Sequence, residues 1–203
     1  EILFNTLGLN ILQLVITFPI PIIFALLLNE VRSTGMKKTI QSLTYMPYFI
    51  SWVVFGGMML GMLSVDGGVV NALLIKLGVV EKGIPFASRP EYFWGIVIIS
   101  SIIKGTGWGV VIYLAAISVI DQNMYEAAVI DGVNRFQKMI HITLPGMMGT
   151  IIIFLLLNIS NLLNSSFDQI YILQNPLNLA RSEVIDTYVY KIGIAKMRYA
   201  YST

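Results

Sequence analysis

Four long apolar stretches, separated by more polar segments, dominate the pattern of this chain. They run from about residues 4–28, 44–63, 92–119 and 147–167. Each has the roughly 20 mostly apolar residues that a helix needs to cross the hydrocarbon core of a membrane. The pattern therefore predicts an all-α membrane protein, a polytopic helix bundle of about four spans that forms a single domain over residues 1–203.

Composition agrees with a membrane protein and excludes several functions. Hydrophobic residues make up 56% of the chain and charged residues 12%, whereas soluble domains carry about 25% charged residues. The net charge of +2, without any basic run, indicates no nucleic-acid partner. Cysteine is absent, which excludes disulfides, thiol catalysis and thiolate metal sites.

The polar segment between the third and fourth apolar stretches, residues 121–145, has a helix pattern of its own. Asn123 and Glu126 have the spacing of a capping box at a helix start. The two alanines that follow extend a helix at little entropic cost. Gly132 supplies the left-handed residue that commonly ends a helix. We expect a short, sharply ended helix whose small side chains let another surface approach closely.

This segment resembles the EAA loop of importer-type ABC transporter permeases. Glu126-Ala127-Ala128, Gly132, Ile142 and Leu144-Pro145 occupy the fixed positions of that motif, and Asp131 matches its common form. In that family the loop forms cytoplasmic coupling helices that seat in a groove of the ATP-hydrolysing subunit. The alternative interpretation is an ordinary amphipathic connector between two spans.

The resemblance implies a set of ATPase-coupling residues. They are Tyr125, Glu126, Ala127, Ala128, Asp131, Gly132, Arg135, Ile142, Leu144 and Pro145. Glu126 and Gly132 are expected to hold the shape of the coupling helix. Tyr125, Ala127, Ala128 and Arg135 are expected to meet the groove of the ATPase.

The resemblance also implies the fold of a type I ABC importer transmembrane domain and a set of partners. These are a second homologous permease subunit, two ATP-binding cassette ATPases, an extracellular solute-binding protein, the transported solute and membrane lipid. The chain has no G-x-x-x-x-G-K-[ST] phosphate-binding loop. We therefore expect no enzyme activity, no catalytic residue, no metal and no cofactor in this chain, with ATP and Mg held by the ATPase subunits.

Further stretches resemble the permeases of carbohydrate importers, in particular a polysaccharide-type subgroup common in Gram-positive bacteria. They are Tyr113–Pro145, Phe167–Ile170, Asn175-Pro176 and Val184–Tyr190. The implied function is the import of oligosaccharides across the cytoplasmic membrane by a multi-pass protein. Members of the family normally have six spans, so the four predicted here imply that the first and last are missing.

Two residues of the third apolar stretch, Lys104 and Trp108, are candidates for the substrate pathway. A lysine inside a span is costly and normally faces a bundle interior or an aqueous path. In one interpretation both residues line the route, with the indole as a platform for the face of a sugar. In the other, Lys104 snorkels to one membrane interface beside a packing notch made by the neighbouring glycines.

Asn158, Asn161 and Ser165 complete the candidate pathway. They fall at positions i, i+3 and i+7 of the fourth stretch and therefore share one face of a continuous helix. Amides in hydrocarbon must find partners, so this face is expected to meet other helices or water. Both a pathway for a hydroxyl-rich solute and simple interhelical hydrogen bonding remain open.

The segment of residues 121–145 is called the coupling segment. Four spans place it and residues 29–43 on one side, and residues 64–91 and 168–203 on the other. Positive residues are normally concentrated in short cytoplasmic loops, but Lys and Arg occur on both sides here. The resemblance makes the coupling segment cytoplasmic. The two longer loops are then expected to face outward, where a solute-binding protein would dock.

Three other functions are alternatives to oligosaccharide import. The first is an importer permease for peptide, phosphate or amino acid, against which the carbohydrate-type motifs argue. The second is an intramembrane enzyme, which needs paired acids, a Ser–Lys pair or a histidine cluster at membrane depth. Lys104 is the one ionisable residue deep in a predicted span, and His141 is the sole histidine. A channel would need a filter or a charged ring, and no such pattern is present.

Overall fold

The computed structural model of the chain describes residues 1–195, and these residues are largely helical. The α-helices are α1 (Ile2–Thr17), α2 (Pro19–Asn29), α3 (Thr34–Phe49), α4 (Trp52–Met62), α5 (Val69–Lys76), α6 (Pro90–Ser118), α7 (Gln122–Ile130), α8 (Arg135–Lys138), α9 (Leu144–Gly146), α10 (Met148–Ser160), α11 (Phe167–Leu173), α12 (Leu179–Ser182) and α13 (Ile185–Val189). A 3-10 turn spans Phe86–Ser88, and π-helical turns span Met139–Thr143 and Tyr190–Ala195. The all-α fold predicted from the sequence is confirmed. Of the predicted outer segment 168–203, residues 196–203 lie outside the described part of the chain.

Two helical stretches of the described chain are long and apolar enough to cross a membrane by themselves. They are Ile2–Asn29, which contains α1 and α2, and Pro90–Ser118, which is α6. Two more stretches qualify only when a broken pair of helices is taken together: α3 with α4, and Arg135–Gly146 with α10, the latter bent by 60°. The described residues therefore hold two to four candidate spans.

Two predicted stretches differ from the helices observed. The second was expected over residues 44–63, but α3 begins at Thr34 and the helix is interrupted at Ile50–Ser51, where Ser51 caps the start of α4. The fourth was expected to continue to residue 167, but α10 ends at Ser160. Residues 161–166 read NLLNSS. Asn and Ser side chains compete for backbone hydrogen bonds, and this competition ends helices.

The chain divides into two compact units, and one of them consists of residues 14–49 and 101–161. Its core contains Ala25, Leu28, Val110, Tyr113 and Met147, contributed by α2, the second part of α6 and the start of the α10 region. This unit contains the whole coupling segment. It also contains Lys104, Trp108 and Asn158.

Within this unit, glycines allow α6 to approach its neighbours closely. A Cβ atom on Gly107 would clash with the carbonyl group of Thr44 on α3. A Cβ atom on Gly109 would lie 2.8 Å from Cβ of Pro21 on α2. The predicted packing notch is therefore present, and it faces two different helices.

The other unit consists of residues 1–13, 50–100 and 162–203, of which the structure describes those up to residue 195. Leu9, Phe93, Val97, Ile170 and Val184 lie in its core. This unit includes the first part of α1, up to residue 13. Within the unit, α11 packs against α4. A Cβ atom on Gly56 of α4 would lie 2.6 Å from Cγ2 of Ile172, so glycine permits this contact.

Candidate functional site

The coupling segment begins with a capped helix, α7. The side chain of Asp121 is the N-cap and accepts a hydrogen bond of 2.9 Å from the backbone N–H of Asn123. The capping box expected between Asn123 and Glu126 is therefore wrong, because Asn123 already lies in the first turn. An aspartate is an equally good cap, and its charge also interacts favourably with the positive end of the helix.

Gly132 ends α7, as predicted. Its φ angle is +72°, in the left-handed region. The N–H of Gly132 donates to the carbonyl of Val129 (3.1 Å), and the N–H of Val133 donates to the carbonyl of Ala128 (3.0 Å). This pair of bonds is the Schellman motif, which satisfies two of the carbonyls left open at a helix C-terminus.

The chain then reverses into a second helical arm that has its own capping box. Asn134 accepts from the N–H of Gln137 at 2.9 Å, and the Gln137 side chain accepts from the N–H of Asn134 at 3.0 Å. This arm is formed by α8, the π-helical turn Met139–Thr143 and α9. The Asn-x-x-Gln spacing was available in the sequence, and it marks this helix start and not the start of α7.

One hydrogen bond joins the two arms. The hydroxyl groups of Tyr125 on α7 and Thr143 on the second arm lie 2.9 Å apart. Thr143 is buried and Tyr125 is half-buried. Tyr125 therefore makes a contact within the coupling segment, in addition to the contact with the ATPase that the resemblance implies.

The remaining predicted coupling residues divide by exposure. Glu126, Ala127, Asp131, Gly132, Arg135 and Pro145 are exposed, and Ile142 and Leu144 are half-buried. Ala128 is 6% exposed and therefore buried. Ala128 also lines a cavity on this surface, and its contact with a partner stays a prediction.

Sequence reasoning missed the largest apolar groups on this surface. Ile130 is 86% exposed and Phe136 is 64% exposed, and Val129 and Met124 are also exposed. Beside them is a cavity of about 510 Å³. It is lined by Met124, Ala127, Ala128, Asp131, Val133, Gln137, His141 and Ile142. The sequence signal was the presence of valine, isoleucine and phenylalanine on either side of a glycine turn in a polar connector. Large apolar groups in such a connector indicate an interaction surface.

The candidate pathway residue Lys104 is buried, with 8% exposure. Its Nζ atom donates to the backbone carbonyls of Pro47 (3.2 Å) and Tyr48 (2.8 Å) at the end of α3. The interpretation of a snorkelling lysine is therefore wrong, although the packing notch that accompanied it is present. The ammonium group ends on the backbone of a neighbouring helix.

Trp108 lies beside Lys104 and is 47% exposed. Its ring stacks on that of Tyr48, with centroids 4.9 Å apart and planes 8° from parallel. Asn158 instead lines a cleft of about 190 Å³ with Pro21, Gly105 and Gly109. The structure thus brings Lys104 and Trp108 together at Tyr48, and it places Asn158 at a different opening.

Asn161 and Ser165 do not continue the face of Asn158. Asn161 is the exposed C-cap of α10 and donates to the carbonyl of Leu157 at 2.9 Å. Ser165 lies beyond the helix in the other unit and is buried. Its hydroxyl accepts from Nδ2 of Asn10 at 3.2 Å, and its N–H donates to the Asp186 carboxylate at 2.8 Å. The predicted i, i+3, i+7 face is wrong, because α10 stops at Ser160.

The surroundings of Ser165 form a polar connection between α1 and the segment that follows residue 161. Nδ2 of Asn5 donates to the carbonyls of Ala180 (3.1 Å) and Glu183 (3.2 Å). The hydroxyl of Thr6 accepts from the N–H of Ile185 at 3.0 Å. Asn5, Thr6 and Asn10 are all buried. Side chains of α1 thus hold α12 and the start of α13 in place.

Metal-binding side chains are not clustered in the described chain. Within residues 1–195, His, Cys, Asp and Glu form no group of three that could hold a metal ion. The ring of His141 interacts through Nδ1 with the carbonyl of Gln137 at 3.0 Å, within its own helical arm. This position gives His141 a local structural partner.

Comparison with known proteins gives a family match over nearly the whole chain. The family described as "Binding-protein-dependent transport system inner membrane component" matches residues 3–200. Protein LplB of Bacillus subtilis (strain 168) is 44% identical over 203 residues, which is 100% of this chain and 63% of that protein. The polygalacturonan/rhamnogalacturonan transport system permease protein YteP of the same strain is 43% identical over 199 residues, 98% of this chain and 61% of that protein.

Solved structures give a match of similar extent. A chain of a bacterial ABC transporter involved in the import of the acidic polysaccharide alginate aligns with a TM-score of 0.94 and 39% identity. The alignment covers 98% of this chain and 68% of that chain. The alginate transporter in complex with an alginate pentasaccharide-bound periplasmic protein matches equally well. This chain spans about three-fifths of the length of the two Bacillus relatives.

Proposed function

Because the chain belongs to the family of binding-protein-dependent transport system inner membrane components, we propose that it is a permease subunit of an ABC importer for oligosaccharides. It acts in the cytoplasmic membrane of a bacterium, and the two Bacillus relatives support a Gram-positive host. The observation that carries the proposal is the fold of residues 121–145. Two capped helical arms are held together there and present large apolar side chains outward.

The apolar surface at the end of α7 is suited to a groove on an ATPase subunit. Ile130 and Phe136 are both more than half exposed and lie on either side of the Gly132 turn. Exposed aromatic and aliphatic anchors contribute most of the binding energy when a pocket desolvates them. The hydrogen bonds within each arm and the Tyr125–Thr143 bond preorganise these anchors, which lowers the entropy cost of binding.

The partners follow from this assignment. Two ATPase subunits hold ATP and Mg, bind the coupling segment and supply the energy, while this chain binds no cofactor itself. A second homologous permease completes the pathway, and an extracellular solute-binding protein delivers the solute to the outer segments. ATP on one side and the loaded binding protein on the other bias an equilibrium between inward-facing and outward-facing states.

The proposed solute is an oligosaccharide, for which two kinds of observation speak. One is the solute named for similar proteins, the polygalacturonan/rhamnogalacturonan permease and the alginate importer. The other is the Tyr48–Trp108 stack, since one face of a half-exposed indole is a flat apolar surface that suits the C–H face of a pyranose ring. Asn158 supplies an amide at a second opening.

The test uses the complete transporter, with the full-length permease, its partner permease and the ATPase subunits. Ile130→Asp places a carboxylate at the most exposed apolar position of the coupling segment. We expect the ATPase to be lost from the purified complex, with permease insertion unchanged. Leu177→Asp is the matched control, since Leu177 is also well exposed but lies outside the coupling segment. Full ATPase recovery and stimulation in Ile130→Asp would refute the proposal.

A further inference from the structure

Lys104 lies at the middle of the apolar helix α6, midway between Pro90 and Ser118. At about 1.5 Å per residue it is ~21 Å from either end of the helix, beyond the reach of a lysine side chain. Burial of a charge in such a position is costly unless the protein itself supplies partners. The role of Lys104 therefore depends on which groups its ammonium meets.

Those groups belong to the C-terminus of α3, which ends at Phe49. The last four carbonyls of a helix have no partner within the helix and carry its partial negative charge. The Lys104 ammonium lies 3.2 Å and 2.8 Å from two of them, the carbonyls of Pro47 and Tyr48. A single positive group thus satisfies two open acceptors inside the apolar region.

Lys104 also contacts the side chain of Tyr48, which belongs to the aromatic stack with Trp108. Nζ of Lys104 lies 5.7 Å from the centroid of the Tyr48 ring, within the range of a cation–π contact. The Tyr48 ring contacts Phe49 edge-on and stacks on Trp108, which lies one helical turn beyond Lys104 on the same face of α6. Lys104 therefore holds the α3 backbone at Tyr48, and this backbone position fixes how the Tyr48 ring lies against the indole of Trp108.

We infer that Lys104 is a positioning residue: it caps the interrupted helix α3 and thereby holds the Tyr48–Trp108 stack, and it does not recognise charge on the solute. The inference rests on the proposed function only in treating the stack as a sugar platform. A buried lysine in a relative of acidic-polysaccharide importers would otherwise be assigned to uronate carboxylates. Here backbone carbonyls take that place, so Lys104 contributes to solute binding through geometry, equally for neutral and acidic sugars.

The test measures the positioning directly, without a solute. In the complete complex, Trp52→Phe and Trp94→Phe leave Trp108 as the only tryptophan within residues 1–203. Lys104→Met should raise the amide exchange rate of residues 46–51 at least about tenfold and increase acrylamide quenching of Trp108 about twofold. Lys104→Arg, which keeps the charge and the donors, should retain most of the protection. Lys38→Met, an exposed lysine of α3, should leave both readouts unchanged.

Lys104→Ser, whose hydroxyl is too short to reach the α3 carbonyls, covers the case in which the methionine variant fails to assemble, and the same two changes are expected from it. Wild-type exchange and quenching in an assembled Lys104→Met or Lys104→Ser complex would overturn the inference. Transport gives a second arm, with a neutral hexasaccharide and an oligouronate of equal length as probes. Parallel losses of transport are expected. A loss confined to the oligouronate would assign Lys104 to charge recognition and overturn the inference, whereas failure of both probes in the wild type would count against the proposed function alone.

Discussion

The hydroxyl group of Tyr125 lies 2.9 Å from the hydroxyl group of Thr143, eighteen positions along the chain. This bond joins the two arms of the coupling segment, and the second arm leads into α10. The net contribution of such a bond to stability is about 1 kcal/mol. The contact is therefore a small but direct part of the proposed path from the ATPase to the membrane-spanning helices.

Tyr125→Phe removes this bond and keeps the ring. We expect the ATPase to remain bound but its stimulation by loaded binding protein to fall several-fold, because the arms are no longer tied. The ratio of stimulated to basal ATP hydrolysis in proteoliposomes measures this. Tyr45→Phe is the control, since Tyr45 is also half-buried but lies on α3, outside the coupling segment and the outer segments. Unchanged stimulation in Tyr125→Phe would show that the bond does not take part in coupling.

The start of α7 distinguishes the observed cap from the one expected from the sequence. Asp121→Ala should destabilise the first turn by about 1 kcal/mol, the usual cost of losing an N-cap. Asn123→Ala should change it little, because the bond involves the backbone N–H of Asn123 and not its side chain. Amide exchange of residues 122–125 compares the two variants. Greater exchange in Asn123→Ala than in Asp121→Ala would restore the sequence-based assignment.

Gly132 is the position at which backbone conformation is most demanding. Its φ of +72° strains any residue with a Cβ atom, so Gly132→Ala should destabilise the end of α7 by about 1 kcal/mol. Gly132→Asn should be milder, because asparagine adopts the left-handed region more readily. Gly149→Ala in α10 is the control, since open space surrounds it and its φ is not positive. The dissociation constant of the ATPase subunit is the readout, and equal values for Gly132→Ala and Gly149→Ala would contradict this interpretation.

The polar contacts of α1 predict a different kind of effect. Asn5→Leu removes the buried donor to the partly exposed carbonyls of Ala180 and Glu183, and the loss of each bond costs about 1 kcal/mol. We expect faster protease cleavage and faster amide exchange across residues 179–188. Leu7→Ala, on an exposed position of the same helix, should not change either rate. Assembly with the ATPase should persist in both variants, because the coupling segment is not involved.

The apolar pattern and the motif spacing were sufficient for the fold class and for the family, whereas the coupling role of residues 121–145 stays a prediction. The left-handed residue at Gly132 was also predictable, since few other residues adopt that conformation at a helix end. The N-cap was not predictable by spacing alone, because Asp121 and Asn123 are both capping residues and only the backbone path selects one.

The polar residues of the apolar helices were the hardest to interpret. Periodicity placed Ser165 on one helix face with Asn158, which requires an unbroken helix. However, α10 ends at Ser160, before Ser165 is reached, because asparagine and serine side chains bond to the local backbone. The partners of Lys104 lie 56 and 57 positions away, and they are backbone carbonyls, which carry no residue signature. Long-range contacts of this kind depend on how α3 meets α6. The position of Gly107 against Thr44 allows that approach.

The central claim, that residues 121–145 bind the ATPase, is tested most directly by site-specific cross-linking. Residues 1–203 contain no cysteine, so single cysteines at Ile130 and Phe136 can carry a short photo-cross-linker in the complete complex. Leu177→Cys serves as the exposed control position. We predict cross-links from positions 130 and 136 to the ATPase subunit and none from position 177. Efficient labelling without any ATPase cross-link from position 130 or 136 would contradict the claim and leave the segment as a connector between spans.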